Sequence, residues 1–371
     1  MKIICKKSDI INGVNIALRA VQSKTTMPIL ECIVIRANGN NIKMITNDME
    51  IAIETVVKGE IVNEGSIAIN AKLFSDIIRK IPDEADITIE TNNYYVTTIT
   101  WGKSKEISIV SKSDEEFPDL PTVEKREALV ISQFSLKEIL RQTVFCISDN
   151  ESQKIMTGEL FEINGNQLRV VALDGHRIAI RNLELKNEYK PTKVIIPGKT
   201  LNEIMKILSG EADRDVAIYF TQTHVMFEFE ETIVLSRLIE GEYYKINQML
   251  SGDYETKIKI NRKEMEGAID RSTLLLKETD KKPIILDIKD FNMNLKVNSQ
   301  LGAMTEDIDI NKEGKDILIG FNPKFMLEVL RVIDDEIINI YMNNSKAPCF
   351  IKNDEENYMY LILPINFNAV R

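Results

Sequence analysis

Few groups in this 371-residue chain have the type and spacing to do chemistry. His176 and His224 are its two histidines, and neither belongs to an HExxH or HxH pattern. Cys5, Cys32, Cys146 and Cys349 form no CxxC pair, so no zinc-ligand set is expected. Buried, reduced thiols in a cytoplasmic protein are the reading that fits such scattered cysteines. Asp174, His176 and Arg177 bring an acid, a base and a cation close together. Such a cluster can move protons in a hydrolase or transferase, or it can belong to a binding pocket that turns nothing over. Gly198-Lys199-Thr200 has the ending of a phosphate-binding loop, but Lys193 stands where that loop needs its first glycine. GxSxG and GxGxxG are absent. No catalytic residue, metal or cofactor is expected.

The elements that position these residues follow from size and periodicity. The length suits two or three domains rather than one. The formal charge of −10 gives an acidic body with no overall attraction for nucleic acid, so any such role needs a local basic surface. No apolar run approaches the ~20 residues that span a bilayer, and no signal segment follows Met1, so no membrane partner is expected.

One pattern is written three times. The segments from Ser66, Lys193 and Asp316 each read as a strand, a helix of about ten residues, a polar turn and a second strand. Apolar residues fall at Phe74, Ile77, Ile78 and Ile81, at Leu201, Ile204, Met205 and Leu208, and at Met326, Val329, Leu330 and Ile333. That is the stripe of a helix lying on a core. Each copy also carries two cations seven residues apart: Lys72 and Arg79, Lys199 and Lys206, Lys324 and Arg331. Two helical turns separate them, so both share the face opposite the stripe. Any surface helix shows lysines to water, and Asp76, Glu203 and Glu328 share these helices. Agreement across three copies is what favours a positively biased face.

A second helix recurs near Ser8–Val21, Ser135–Ile147 and Arg262–Leu276, each after a short strand and before hairpin-like text. Asn-Gly at Asn38 and Asn164 marks tight turns, and Asp48 and Asp174 end the first two hairpins at equivalent places. The fold class is therefore α+β: three tandem repeats of a two-helix, antiparallel-sheet domain. The Pro-containing stretch from Ser111 and the stretch from Gly241 read as linkers, which places the domains at 1–126, 127–252 and 253–371. Helices that turn their cations to one side would attract duplex phosphates without reading bases.

VALDGHRIAI (Val171–Ile180) resembles the signature of the bacterial sliding clamps, the beta subunits of replicative DNA polymerase. TTMPIL (Thr25–Leu30), TNDMEIAI (Thr46–Ile53), EEFPDLP (Glu115–Pro121), GFNPKFMLEVL (Gly320–Leu330) and LILPI (Leu361–Ile365) match the same family in order, so the likeness covers the whole chain. The resemblance implies the DNA clamp fold, a head-to-tail homodimer closing as a ring around duplex DNA, and no catalysis. It implies as partners the polymerase catalytic subunit, the clamp loader, and other polymerases and repair proteins that dock by short linear motifs. Their pocket would comprise Met156, Leu173, Gly175, His176, Arg177, Ile178, Tyr244 and the run Leu361, Ile362, Leu363, Pro364 and Ile365. Gly175 would allow close backbone approach, and Arg177 would hydrogen-bond peptide carbonyls. Lys24, Asn150 and Lys154 would lie near DNA. Ile107 and Ile109 would meet Leu274 and Leu275 of a second copy, although as plain core hydrophobes these four read equally well. Two departures from the family pattern, Tyr243-Tyr244 in place of an aromatic-proline pair and Asn366 after Ile365, would reshape the pocket edge.

Overall fold

The computed structural model describes residues 1–22, 25–250, 254–276 and 282–367. The first third holds β1 (Lys2–Lys6), α1 (Lys7–Ala17), β2 (Cys32–Asn38), β3 (Asn41–Asn47), β4 (Ile51–Val57), β5 (Glu60–Asn63), β6 (Gly65–Asn70), α2 (Ala71–Lys80), β7 (Asp86–Thr91), β8 (Val96–Trp101) and β9 (Lys105–Val110). The middle holds β10 (Leu129–Ser132), α3 (Gln133–Thr143), β11 (Gly158–Leu173), β12 (Arg177–Pro197), α4 (Gly198–Ile207), β13 (Asp215–Phe220), β14 (His224–Phe229) and β15 (Thr232–Arg237). The last third opens with α5 (Asn247–Leu250), β16 (Thr256–Asn261), α6 (Arg262–Thr273), β17 (Ile284–Lys289), β18 (Asn292–Ser299) and β19 (Gly302–Gly314). It ends with β20 (Ile317–Phe321), α7 (Pro323–Val332), β21 (Ile337–Met342), β22 (Cys349–Lys352) and β23 (Tyr358–Ile362). The repeated helix–sheet order expected from the sequence is present in all three stretches.

Local chemistry explains the helix starts. Asn70, Asn261 and Asn322 precede α2, α6 and α7, and their side-chain oxygens accept from the amides of Leu73, Glu264 and Lys324. An asparagine there satisfies an orphan donor of the first turn, and Pro323 adds a backbone angle already set for a helix. The stripe is buried as its spacing demands: Phe74, Ile77 and Ile78 in α2, Met326, Val329 and Leu330 in α7. Each such side chain contributes about 1.5–3 kcal/mol when removed from water. The Asn-Gly turns place Gly39 and Gly165 at φ +60° and +59°, whereas the third copy uses Asp290 at φ +46°.

Packing gathers the chain into two compact units, Met1–Ser135 with Glu203–Leu238 and Leu136–Asn202 with Ile239–Arg371. The first unit contains a five-stranded sheet in the order β5-β1-β7-β8-β9 and an eight-stranded sheet in the order β10-β13-β14-β15-β4-β3-β2-β6. The second contains a ten-stranded sheet in the order β11-β12-β23-β22-β21-β16-β19-β18-β17-β20. Every pairing is antiparallel. The middle copy thus gives β13–β15 to one sheet, through β15 on β4, and β11–β12 to another, through β12 on β23. In the first unit α1 packs on α2 above a core of Ile10, Val14, Ile35, Phe74 and Ile78. In the second α6 packs on α7 above Met265, Ile269, Leu286, Met326 and Leu330.

Candidate peptide groove and DNA-facing residues

The turn between β11 and β12 is built by Asp174. Its Oδ1 accepts from the amides of His176 (2.9 Å) and Arg177 (3.1 Å), and its own amide donates to the Arg177 carbonyl at 3.3 Å. Gly175 sits at φ +87°, the left-handed region that favours glycine, and the space where a Cβ would stand is open. Bare backbone is therefore exposed at the tip.

Arg177 corrects its expected role. Instead of offering donors to a peptide it is buried, and its fork is committed inside the unit. Nε donates to Asp174 Oδ2 at 2.9 Å, one terminal nitrogen to Glu328, and the other to the Phe145 carbonyl at 2.7 Å. The guanidinium lies 4.4 Å from the ring centre of Phe325 and 5.2 Å from that of Phe145. Ile362 is corrected as well. It stands opposite Arg177 in the β12–β23 register and is buried in the main core, because alternate residues of a strand face opposite ways.

The other face of the same strands makes the floor. Ile178 stands opposite Leu361, and both join Met156, Leu173, Val171, Ile180 and Ile246 in one apolar cluster. Tyr243 packs on it and donates through its hydroxyl to the Val171 carbonyl at 3.2 Å, and burial pushes that phenol well above its ordinary pKa. Tyr244 stands edge-on to Tyr243 and is exposed. Leu363 is exposed too, its amide donating to the His176 carbonyl at 2.9 Å, while the Ile365 amide donates to Gly320 at 2.8 Å. Pro364 is half-buried between them. These bonds fix an otherwise irregular terminal segment beside the turn. An open cavity of about 800 Å³ adjoins it, lined by Met156, Gly175, His176 and Arg177 together with Phe145, Asn150, Asn202, Lys324 and Glu328. Apolar floor, exposed rim and a few polar groups are the features of a site for extended peptides. The sequence shows Glu328 only as an acidic residue of the repeated helix, and nothing in it ties Phe325 to the turn. Their place in the repeated helix was visible, but their partner was 151 residues away in the case of Glu328.

The cluster does not assemble as an acid–base site. Asp174 reaches the backbone amide of His176 and not its ring, which stacks on Phe325 at 6.0 Å. Gly198 opens α4, and a Cβ there would lie 2.1 Å from Ile147 Cδ1, so packing explains this glycine better than phosphate binding. Among the described residues no three potential ligands cluster for a metal, and no helix is long and apolar enough to cross a membrane. The four cysteines are free and buried, and burial raises the Cys5 thiol to about 12, which leaves it inert at neutral pH.

All six repeated cations are exposed. Arg79 donates to Asn15 Oδ1 at 3.1 Å, Lys206 pairs with Glu203 at 2.7 Å, and Arg331 pairs with Asp270 at 2.8 Å. Exposed pairs of this kind are worth roughly 0–1 kcal/mol, so phosphates can displace the carboxylates. Lys324 stands at the cavity mouth. Asn150 spends its side-chain oxygen on the amide and hydroxyl of Ser152, Lys154 is exposed, and Lys24 lies outside the described residues. Ile107 is 37% exposed on β9, an edge strand, while Ile109 packs partly on the first unit's core. Leu274 is 79% exposed and Leu275 half-buried. Plain core residues would not be left at Leu274 or Ile107.

Comparison with known proteins agrees with this architecture. The family models of the DNA polymerase III beta subunit match in order: N-terminal domain over residues 1–121, central domain over 130–245 and C-terminal domain over 247–366. The Bacillus subtilis (strain 168) beta sliding clamp is 34% identical over 378 residues, 98% of this chain and 99% of the relative. A crystal structure of the Bacillus subtilis DNA polymerase sliding clamp superposes with a TM-score of 0.93, covering 99% of each chain. A chain from Eubacterium rectale ATCC 33656, given as a DNA polymerase III beta subunit, is 58% identical with a TM-score of 0.96, over 99% of this chain and 100% of that one. Fold, repeat and relatives converge: the chain belongs to the DNA polymerase III beta subunit family, the beta sliding clamps, non-catalytic processivity subunits of that polymerase.

Proposed function

We propose that two copies of this chain close head to tail into a ring around duplex DNA and hold the polymerase on its template. The observation that carries this reading is the threefold recurrence of one helix with outward cations, Lys72 and Arg79, Lys199 and Lys206, Lys324 and Arg331, on an otherwise acidic protein. Phosphate contacts of this kind are independent of sequence and weak enough to allow sliding. Domains bounded near residues 126 and 252 belong to the same reading, as do DNA-facing roles for Lys24, Asn150 and Lys154. The groove of Met156, Leu173, Gly175, His176, Ile178, Tyr244, Leu361 and Leu363 takes short motifs of the polymerase catalytic subunit, the clamp loader, and other polymerases and repair proteins, in the cytoplasm.

Retention on circular DNA tests the ring. The protein is loaded onto nicked circles by a competent clamp loader with ATP, separated by gel filtration, and compared before and after the circles are cut. Retention on circles and loss from linear ends is expected. Equal retention on both would mean ordinary affinity and no ring.

The head-to-tail contact has its own test. Edge strand β9 with Ile107 and the exposed Leu274 give a heterologous pair of apolar surfaces. Ile107→Asp or Leu274→Asp alone is expected to weaken dimerisation at least a hundredfold, the range of a central interface residue. Sedimentation at graded concentrations reads this, and an unchanged dimer in both variants sinks the assignment.

A further inference from the structure

The repeat that builds the groove beside Asp174 builds a second one in the first unit. Asp48 makes the same turn: its Oδ1 accepts from the amides of Glu50 (3.0 Å) and Ile51 (2.8 Å), and its amide donates to the Ile51 carbonyl at 3.0 Å. Beyond the turn β4 lies on β15 as β12 lies on β23. Ala52 faces Leu235 where Ile178 faces Leu361. The next bond also repeats, Arg237 amide to Glu50 carbonyl at 3.1 Å matching Leu363 to His176 at 2.9 Å. The linkers correspond too: Leu120 packs on Ala52, Leu235 and Met226 as Ile246 packs with Ile178 and Leu361. Between these elements lies a cavity of about 190 Å³ lined by Met49, Glu50, Ala52, Pro118, His224 and Arg237.

We infer that this cavity is a second, weaker peptide-docking site, which takes one aliphatic side chain of an extended segment from a partner protein. The inference rests on reading the Asp174 groove as a peptide site. The volume is below the roughly 300–1,000 Å³ of small-molecule pockets and suits a single side chain. Met49 stands where the other turn has Gly175. It holds φ +73° and is 58% exposed, a left-handed conformation that costs a methionine about 1 kcal/mol or more. A flexible thioether presented in this way is suited to an adaptable binding rim. Ala52 and Pro118 replace Ile178 and Tyr244, so the anchor meets less apolar surface than in the first groove. Glu50, Asp119 and Arg237 ring the mouth and call for polar residues flanking the anchor, while burial and then Arg237 hold the His224 pKa below its ordinary value.

The test uses the full-length protein and the peptide acetyl-Ser-Leu-Ser-Leu-Phe-amide with a photoactivatable leucine at its second position. Crosslinks are mapped by mass spectrometry across a peptide titration. Two clusters are expected, one on residues 176–178 and 361–365 and one on residues 49–52 and 235–237, the latter half-saturating at roughly tenfold more peptide. His224→Trp, which fills the cavity, is expected to remove the second cluster at least tenfold and leave the first. Met49→Asp, on the exposed turn, is expected to do the same if the tryptophan variant fails to fold. Crosslinks confined to the first groove overturn the inference and leave the first reading standing. Crosslinks confined to the second sink the first reading and overturn the ranking that makes this cavity the weaker site. Crosslinks at neither site at saturating peptide overturn both.

Discussion

Arg177→Ala is expected to destabilise the unit of residues 136–202 and 239–371 by about 3 kcal/mol, as removal of one partner from a buried ion pair does. The side chain is 5% exposed and is anchored at every side: Asp174 Oδ2 at 2.9 Å, Glu328, the Phe145 carbonyl at 2.7 Å and the faces of Phe325 and Phe145. Truncation leaves two carboxylates facing each other without a counter-charge and a carbonyl without a donor. Arg177→Lys restores a charge but not the planar fork, so it is expected to recover less than half of the loss. Trp101, the only tryptophan, lies in the other unit and provides an internal control. Hydrogen exchange in β12 and β23 during urea titration reads the second unit. A loss below about 1 kcal/mol there would show that the network is ornamental to stability. Peptide affinity should fall with it, because Asp174 orients the turn through the same carboxylate that Arg177 holds.

Stability of that unit is also expected to fall as pH rises, through Glu159. This residue of β11 is fully buried, and both carboxyl oxygens are without a hydrogen-bond partner among the described residues. Thr143 lies nearby, but its hydroxyl donates to the Ile139 carbonyl at 2.8 Å. Burial disfavours the charged form and raises the carboxyl from 4.5 to about 8. The folded state therefore holds a proton that the unfolded state releases. Between about pH 4.5 and 8 the unfolded chain binds fewer protons, so unfolding becomes easier with each pH unit. The expected loss between pH 5 and 8 is on the order of 3 kcal/mol. Glu159→Gln keeps the shape without the ionisation, and its stability should be nearly flat over that interval. Urea midpoints at graded pH decide the matter: parallel profiles for both proteins would mean that Glu159 is not the group responsible. The other two copies place Ile33 and Ile284 at this point of the fold, both fully buried. Glu159→Ile is accordingly expected to be more stable than the native chain at pH 8.

Much of this molecule was legible before its tertiary structure. The i, i+3, i+4, i+7 stripes of α2 and α7 are buried as written, because a helix has one period and one apolar face to satisfy with it. Asn70 and Asn322 cap α2 and α7 through amides no more than three residues away, which makes these helix starts local chemistry. Asp48 and Asp174 marked equivalent turns for the same reason. What the sequence left open depended on distant partners or on strand parity. Arg177 read as a donor for ligands until Phe145, Glu328 and Phe325 were seen to enclose it. Ile362 read as a pocket residue until the register with Arg177 turned it into the core. The strands of the middle repeat are divided between two sheets, since β15 and β12 find their edges on β4 and β23. A sheet edge is completed by backbone hydrogen bonds that no side-chain pattern announces, and only the folded chain decides which edge meets which.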